Sequence, residues 1–309
     1  MLKLKGRVLR IGIRMLCFYQ FRRFYKKIAL SKFGNVLNKV TPDVKKRIEQ
    51  KFTRAYLATF ISLEQRIIFN SSHYHYIDEH LTDSFFRQIN KGIVLWGMDC
   101  DTDAHQIVLT IPHGTSAEGD LLLEYRFNNK VLHQLTFSFI EGQLMGMEQK
   151  QLVFIGGFQG CLGKSESIRI ASKQNREISP STALIIALKA ISKTLAIENI
   201  TGVKAEHHIS MQGDPCLKGQ HSYNQLWLKN YGIETALFYV MPTHASPSES
   251  EPVAGGHASR TRRKRKNRQN LLTVIELGFA TYVSSQVWSS HYCDDSARSE
   301  YERGLTLTL

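Results

Sequence analysis

The spacing of apolar positions along the chain changes character several times. In the first eighteen residues Lys3, Arg7, Arg10 and Arg14 recur at steps of four, three and four, and Leu4, Val8, Ile11, Met15 and Phe18 follow one position on. This spacing predicts a helix with a basic stripe beside an apolar face. Residues 42–92 also read as helical, opening at Thr41-Pro42 with Asp43 in the first turn and closing near Lys91-Gly92. From residue 106 the period becomes that of strands. "QIVLTIPH" (106–113), "GDLLLEYRF" (119–127), "VLHQLTFSFI" (131–140) and "QLVFIGGF" (151–158) are separated by turn signals, the strongest being Asn128-Asn129, because both residues tolerate positive φ. An antiparallel meander is expected.

The last of these runs continues as "LVFIGGFQG", and glycines inside a strand mark either a bulge or a close approach by another backbone or a ligand. Helical spacing then returns, most clearly in "SPSTALIIALKAISKTLAI", with Ser179 placed to cap the helix and Pro180 at its first position. Its only polar stripe is Thr182, Lys189, Ser192 and Lys193, so the helix should lie across a sheet. "ITGVKAEHHI" (200–209) follows as a strand, and a strand-helix-strand crossover this long implies a parallel pair. "SYNQLWLKNYG" (222–232) fits a short helix and "ETALFYVMP" (234–242) a last strand. The expected fold class is α+β, a meander followed by a β-α-β crossover in a mixed sheet flanked by helices. The expected organisation is a basic amphipathic helix over 1–40, one core domain with a helical start over 41–242, a flexible loop over 243–259, and a basic helix with a polar tail over 260–309.

Charge changes this picture only when it is located. The net charge of +13 suggests a nucleic-acid binder, but residues 1–32 hold ten Lys/Arg and no acid, and "RTRRKRKNR" (260–268) holds seven more. The remainder carries 23 basic against 27 acidic residues, so the core is slightly acidic and the basicity sits in two segments. No aromatic residue lies between Pro252 and Phe279 to stack on bases, which disfavours nucleic acid as a partner. Arg7, Arg10 and Arg14 at one end, with Arg262 and Arg265 at the other, are candidate contacts to an anionic membrane surface; the first helix could equally pack on the protein's own core. Five scattered cysteines without a CxxC pair fit a reducing compartment, and no apolar run is long enough to span a bilayer. The expected location is therefore cytoplasmic, with peripheral attachment to the inner membrane. His73, His75 and His80 lack a third ligand of suitable spacing, so no metal site is expected.

"FIGGFQG", followed by Ile168-Arg169, Ser172-Lys173, Pro180, "GVKAEHH", "YNQLW" and the arginine-rich "SRTRRKRKNRQNLL", resembles the VirK/YbjX family of enterobacterial proteins. "RIIFNSSHYHY" (66–76) and "EGDLLLEY" (118–125) extend the likeness upstream. The resemblance implies a virulence role in the cell envelope: surface localisation of an outer-membrane virulence protein, whose precursor would be a partner, lipid A remodelling, and resistance to antimicrobial peptides. It implies no settled chemistry. Ser181 stands where relatives tend to be basic, 243–259 is longer and more polar than the usual connection, and the tail after 276 has no counterpart.

The element order also resembles that of the GNAT acyltransferases, in which the strand before the main helix splays from the strand after it and admits an acyl-CoA or acyl-carrier-protein thioester. On that resemblance Gly156 and Gly157 clear space for the thioester arm, and Gln159 and Gly160 open its phosphate loop. Here the loop reads Q-x-x-x-G-K rather than Q/R-x-x-G-x-G/A. His208, at the end of the strand after the crossover, is the first candidate for a catalytic base and Glu118 the second. Arg169 and Lys173 could hold a phosphate or form a solvated face, and Tyr223 and Trp227 could stack on a ligand or pack the core. Cys161 has no neighbouring base and reads as inert. Three functions follow: a VirK-like accessory or binding factor, an acyltransferase acting on an envelope precursor, and an RNA-binding regulator.

Overall fold

The computed structural model describes residues 55–285 apart from 101, 113–116, 212–216 and 245–257, with Lys51 and a few positions in the first 25 residues. Most of the helix expected over 1–40, including Arg7, Arg10 and Arg14, and residues 245–257 of the loop expected over 243–259 lie outside the described residues.

From residue 55 onward two helices come first, α1 (Leu63–His80) and α2 (Asp83–Gln88). A reciprocal cap starts α1: the Ser62 hydroxyl accepts from the Gln65 N–H (3.3 Å) and the Gln65 side chain accepts from the Ser62 N–H (2.9 Å). The strand region opens earlier than the sequence pattern suggested. β1 (Ile93–Cys100) begins with Ile93 and Leu95 inward and Val94 outward, but a bulge shifts the phase so that Trp96, Met98 and Cys100 are half-buried and Gly97 and Asp99 exposed, which blurs the alternation. β2 (Asp103–Thr110), β3 (Leu121–Phe127), β4 (Lys130–Glu141) and β5 (Gln151–Gly160) complete the meander. Asn128 and Asn129 turn the β3–β4 hairpin at φ of 50° and 60°.

After β5 come α3 (Ser165–Gln174) and the crossover helix α4 (Pro180–Thr194), whose first turn is capped by the Ser179 hydroxyl accepting from the Thr182 N–H at 3.2 Å. β6 (Asn199–Val203), α5 (Leu217–Lys229), β7 (Ile233–Glu234), β8 (Phe238–Pro242) and α6 (Ala258–Ala280) follow. The sheet runs β1-β2-β3-β4-β5-β6-β8-β7, antiparallel throughout except for the parallel β5/β6 pair that α4 connects. The fold is therefore the expected mixed sheet: a meander, then a β-α-β crossover.

One expectation shifts. β6 stops at Val203 instead of running to Ile209, because α5 takes the backbone groups a longer ladder would need. Trp227 Nε1 donates to the Val203 carbonyl (3.0 Å), and the Asn224 amide oxygen accepts from the Ala205 N–H (2.9 Å). Two 3-10 turns, Ala205–His207 and Ile209–Met211, replace the rest. The basic helix expected from residue 260 runs on to Ala280 as α6, whose second half is apolar and packs on α4 and β1 through Leu271, Ile275 and Phe279. No helix among the described residues is long and apolar enough to cross a membrane.

β4 outruns β3, whose pairing stops at Phe137. Helix α1 covers the overhang: His73 Nδ1 accepts from the Phe139 N–H and the Ser72 hydroxyl from the Glu141 N–H, each at 3.1 Å. His73 and His75 both lie on α1, where a spacing of two sends them to opposite sides; His73 is buried and His75 exposed. The sheet's two outer strands are irregular. β1 bulges between Val94 and Trp96, and β7 is two residues long.

Candidate functional site

β5 and β6 pair over only three positions, Val153 with Ile200 to Ile155 with Gly202, after which β5 continues along β4 alone. The pair therefore diverges at "GGFQG". At the same point β5 carries a bulge: Ile155 faces Phe137 and Gly157 faces Thr136, leaving Gly156 as the extra residue. The bulge turns both glycines toward Glu118. A Cβ on Gly156 would overlap the carbonyl oxygens of Glu118 and Leu57, and one on Gly157 would overlap the Glu118 carboxylate and the Thr136 hydroxyl. The space that missing side chains open is filled by the chain itself.

The filler is the tripeptide Glu118-Gly119-Asp120, whose two carboxylates point into different surroundings. Asp120 enters a buried knot where Lys51, the Tyr56 hydroxyl, the Tyr74 hydroxyl (2.9 Å), the Asn70 amide (3.2 Å) and the Ser138 hydroxyl (2.7 Å) all donate to it. Burial alone would push this carboxyl up, but Lys51, His73 and the hydrogen bonds from Lys51 and Tyr56 outweigh it and hold it far below the carboxylate range.

Glu118 faces the diverging strands instead. The hydroxyl of exposed Ser210 donates to Oε1, and Thr136 reaches Oε2 at 3.5 Å. Burial raises its pKa, partly offset by the bonds from Ser210 and Thr136. His208 Nε2 lies 3.9 Å from Glu118 Oε1, while its Nδ1 accepts from the Ser210 N–H at 3.2 Å. That backbone bond assigns the ring proton to Nε2, so the imidazole presents a donor to Glu118. The Tyr223 ring stands edge-on to His208, with centroids 5.1 Å apart, and its buried hydroxyl has no hydrogen-bond partner among the described residues. Trp227, fully buried, lies over Gly202 and contacts the Phe158 ring at 6.2 Å, filling the base of the gap.

The predicted site residues thus divide. His208, Glu118, Gly156, Gly157, Tyr223 and Trp227 converge where β5 and β6 part. Gln159 and Gly160 lie farther along β5, exposed, opposite Gln134 and His133. Arg169 and Lys173 are one turn apart on α3, also exposed, and Arg169 is paired with Glu166 at 2.6 Å. Arg262 and Arg265 lie on α6. Cys161 is half-buried, and that burial pushes its thiol up. Sequence reasoning missed Ser210, whose only signal is its place two residues after His208. It also missed the Asp120 knot, although Asn70, Tyr74 and Asp120 belong to two of the segments that carry the VirK/YbjX resemblance.

Burial depresses two histidines here, His73 and His208, each to about 4 from an ordinary 6.5. Between these values the unfolded chain binds protons that the folded protein refuses, so stability is unaffected above pH 6.5 and falls as pH drops toward 4. Urea midpoints measured at pH 7.5 and pH 5 should therefore fall toward acid, and His73→Gln should flatten the slope.

A family model described as "Protein of unknown function (DUF535)" matches residues 7–281. Neither a curated protein nor a solved structure matches the chain.

Proposed function

The chain belongs to the DUF535 family, and from that premise we propose that it is a VirK/YbjX-type envelope protein that transfers an acyl group from a thioester carrier to an envelope precursor. The process follows from the sequence resemblance: surface localisation of an outer-membrane virulence protein, lipid A remodelling and resistance to antimicrobial peptides, carried out at the inner-membrane surface. The chemistry rests on one observation, the desolvated Glu118 carboxylate held where a parallel strand pair diverges.

Glu118 rather than His208 takes the base role, because His208 Nδ1 is engaged by the backbone and its Nε2 proton faces the carboxylate. In the proposed step the acceptor hydroxyl or amine gives its proton to Glu118 as its oxygen or nitrogen attacks the thioester carbonyl. The carbon–sulfur bond breaks, and Glu118 passes the proton it has received to the departing thiolate. Burial, with Glu118 nearby, holds the Tyr223 hydroxyl well above its usual pKa, so it stays protonated throughout. The thioester arm would run along β5 beyond Ile155, where β6 no longer pairs.

A second reading, an accessory factor without catalysis, draws its support from Trp227, which fills the base of the gap. Thermal-shift measurements with acyl-CoA and acyl-carrier protein separate the two. The transfer reading expects stabilisation by one donor. It also expects Glu118→Gln to leave the melting temperature within a few degrees while turnover falls about 10²–10⁴-fold. No stabilisation by either donor, together with Glu118→Gln and His208→Ala still complementing a null strain, would leave the accessory role standing.

A further inference from the structure

A second concavity lies on the far side of α4, between that helix and α6, away from Glu118. Its α4 wall is the stripe Thr182, Ile185, Ile186, Lys189 and Lys193, one face at helical spacing. Its α6 wall carries Lys264, Arg265, Lys266 and Arg268 above Leu272. Asn230, Tyr231, Thr243 and His244 close it. The cleft holds about 670 Å³, and six lysines and arginines line it with no carboxylate among the described lining residues. Among the described residues outside the lining, Glu276 pairs with Lys193 at 2.7 Å and Glu177 with Lys264 at 3.3 Å.

A lobe of about 400 Å³ adjoins it and shares Thr182, Lys189, Asn230, Tyr231 and Arg268. This lobe adds Lys229 and the hydroxyls of Ser179 and Ser181 at the start of α4, where helix N–H groups favour an anion. A lining residue also lacks a bond: the Thr243 hydroxyl, on a residue only 2% exposed, has no partner among the described residues. Like charges gathered around a concavity repel one another, and a bound anion relieves that repulsion.

We infer that this cleft binds an organic phosphate bearing two phosphate groups, one in each lobe, with Lys189 and Arg268 between them. Ile185, Ile186 and Leu272 form an apolar floor that suits the carbon skeleton joining the phosphates. The same chemistry is offered by a soluble diphosphate and by an anionic lipid headgroup. The inference is independent of the acyl-transfer reading, since it uses none of the residues around Glu118.

Calorimetric titration of the full chain with inorganic pyrophosphate, and flotation with vesicles containing an anionic phospholipid, test it. The paired variant Lys189→Gln/Arg268→Gln should weaken binding of at least one probe tenfold or more. A control removing equal charge outside the cleft, Arg87→Gln/Lys91→Gln, should leave it within twofold. Loss of pyrophosphate binding identifies a soluble ligand, and loss of vesicle binding alone identifies a headgroup. Failure of both probes to bind the unaltered protein, or equal weakening by the two paired variants, would overturn the proposal, because the second result is what diffuse positive charge produces.

Discussion

Asp120→Ala is expected to cost about 3–5 kcal/mol, a large share of the about 5–15 kcal/mol that holds a typical domain together. The substitution removes the acceptor for five donors at once and strands the Lys51 ammonium in a buried site. Burial already lowers the pKa of Lys51 against the pull of Asp120, so without the carboxylate the amine either deprotonates or opens the structure to water. Denaturation by urea measures the loss, and a fall below about 1 kcal/mol would show that the knot contributes little. The double variant Asp120→Ala/Lys51→Met should recover part of it, since the stranded charge is then gone. Because Asp120 is held below its ordinary value, its contribution persists at neutral pH. It fades only as pH falls from about 4 toward the folded value.

Gly156→Ala is the second large effect, at about 3 kcal/mol or more. The added methyl group would meet the carbonyl oxygens of Glu118 and Leu57, and backbone atoms tied into a sheet cannot swing aside as side chains can. The strap bearing Glu118 is anchored on both sides: Leu57 donates its N–H to the Ala117 carbonyl at 2.8 Å, and Asp120 donates to the Phe137 carbonyl at 3.0 Å. The contrast with Gly157→Ala makes the test specific. There the methyl group meets the Glu118 carboxylate and the Thr136 hydroxyl, both side-chain groups, so a smaller stability loss should accompany a displaced Glu118. Thermal melts of the two variants should rank Gly156→Ala lower, by several degrees for a difference of about 2 kcal/mol. Equal melting temperatures would contradict the close approach seen at the bulge.

Features set by neighbours in the chain were legible in the sequence. Ser179 and Pro180 start α4 as their chemistry predicts, and Asn128-Asn129 turns the hairpin with both residues at positive φ. The glycine pair announced an unusual strand, and the bulge is there. What occupies it could not be read, because Glu118 lies 38 positions or more before the glycines. The Asp120 knot was hidden for the same reason: its partners stand 18 to 69 residues away in sequence, and only the fold gathers them. Where local and tertiary signals competed, the tertiary one won. The strand expected through Ile209 gives way to turns at Val203 because Trp227 and Asn224 claim its backbone. His208 consequently sits in a turn whose own N–H settles its tautomer, and that detail moves the proposed base to Glu118.

The outermost strands determine how the protein behaves in the company of its own kind. An open sheet margin offers unpaired N–H and C=O groups on which another chain can crystallise into a shared sheet. At one margin β7 provides just two residues, with Glu234 drawn to Lys204 at 2.7 Å, too short a template to recruit a neighbour. At the other, the irregularity between Val94 and Trp96 breaks the even row of donors and acceptors that stacking requires. The molecule thus carries its own protection against aggregation at both ends of an eight-stranded sheet.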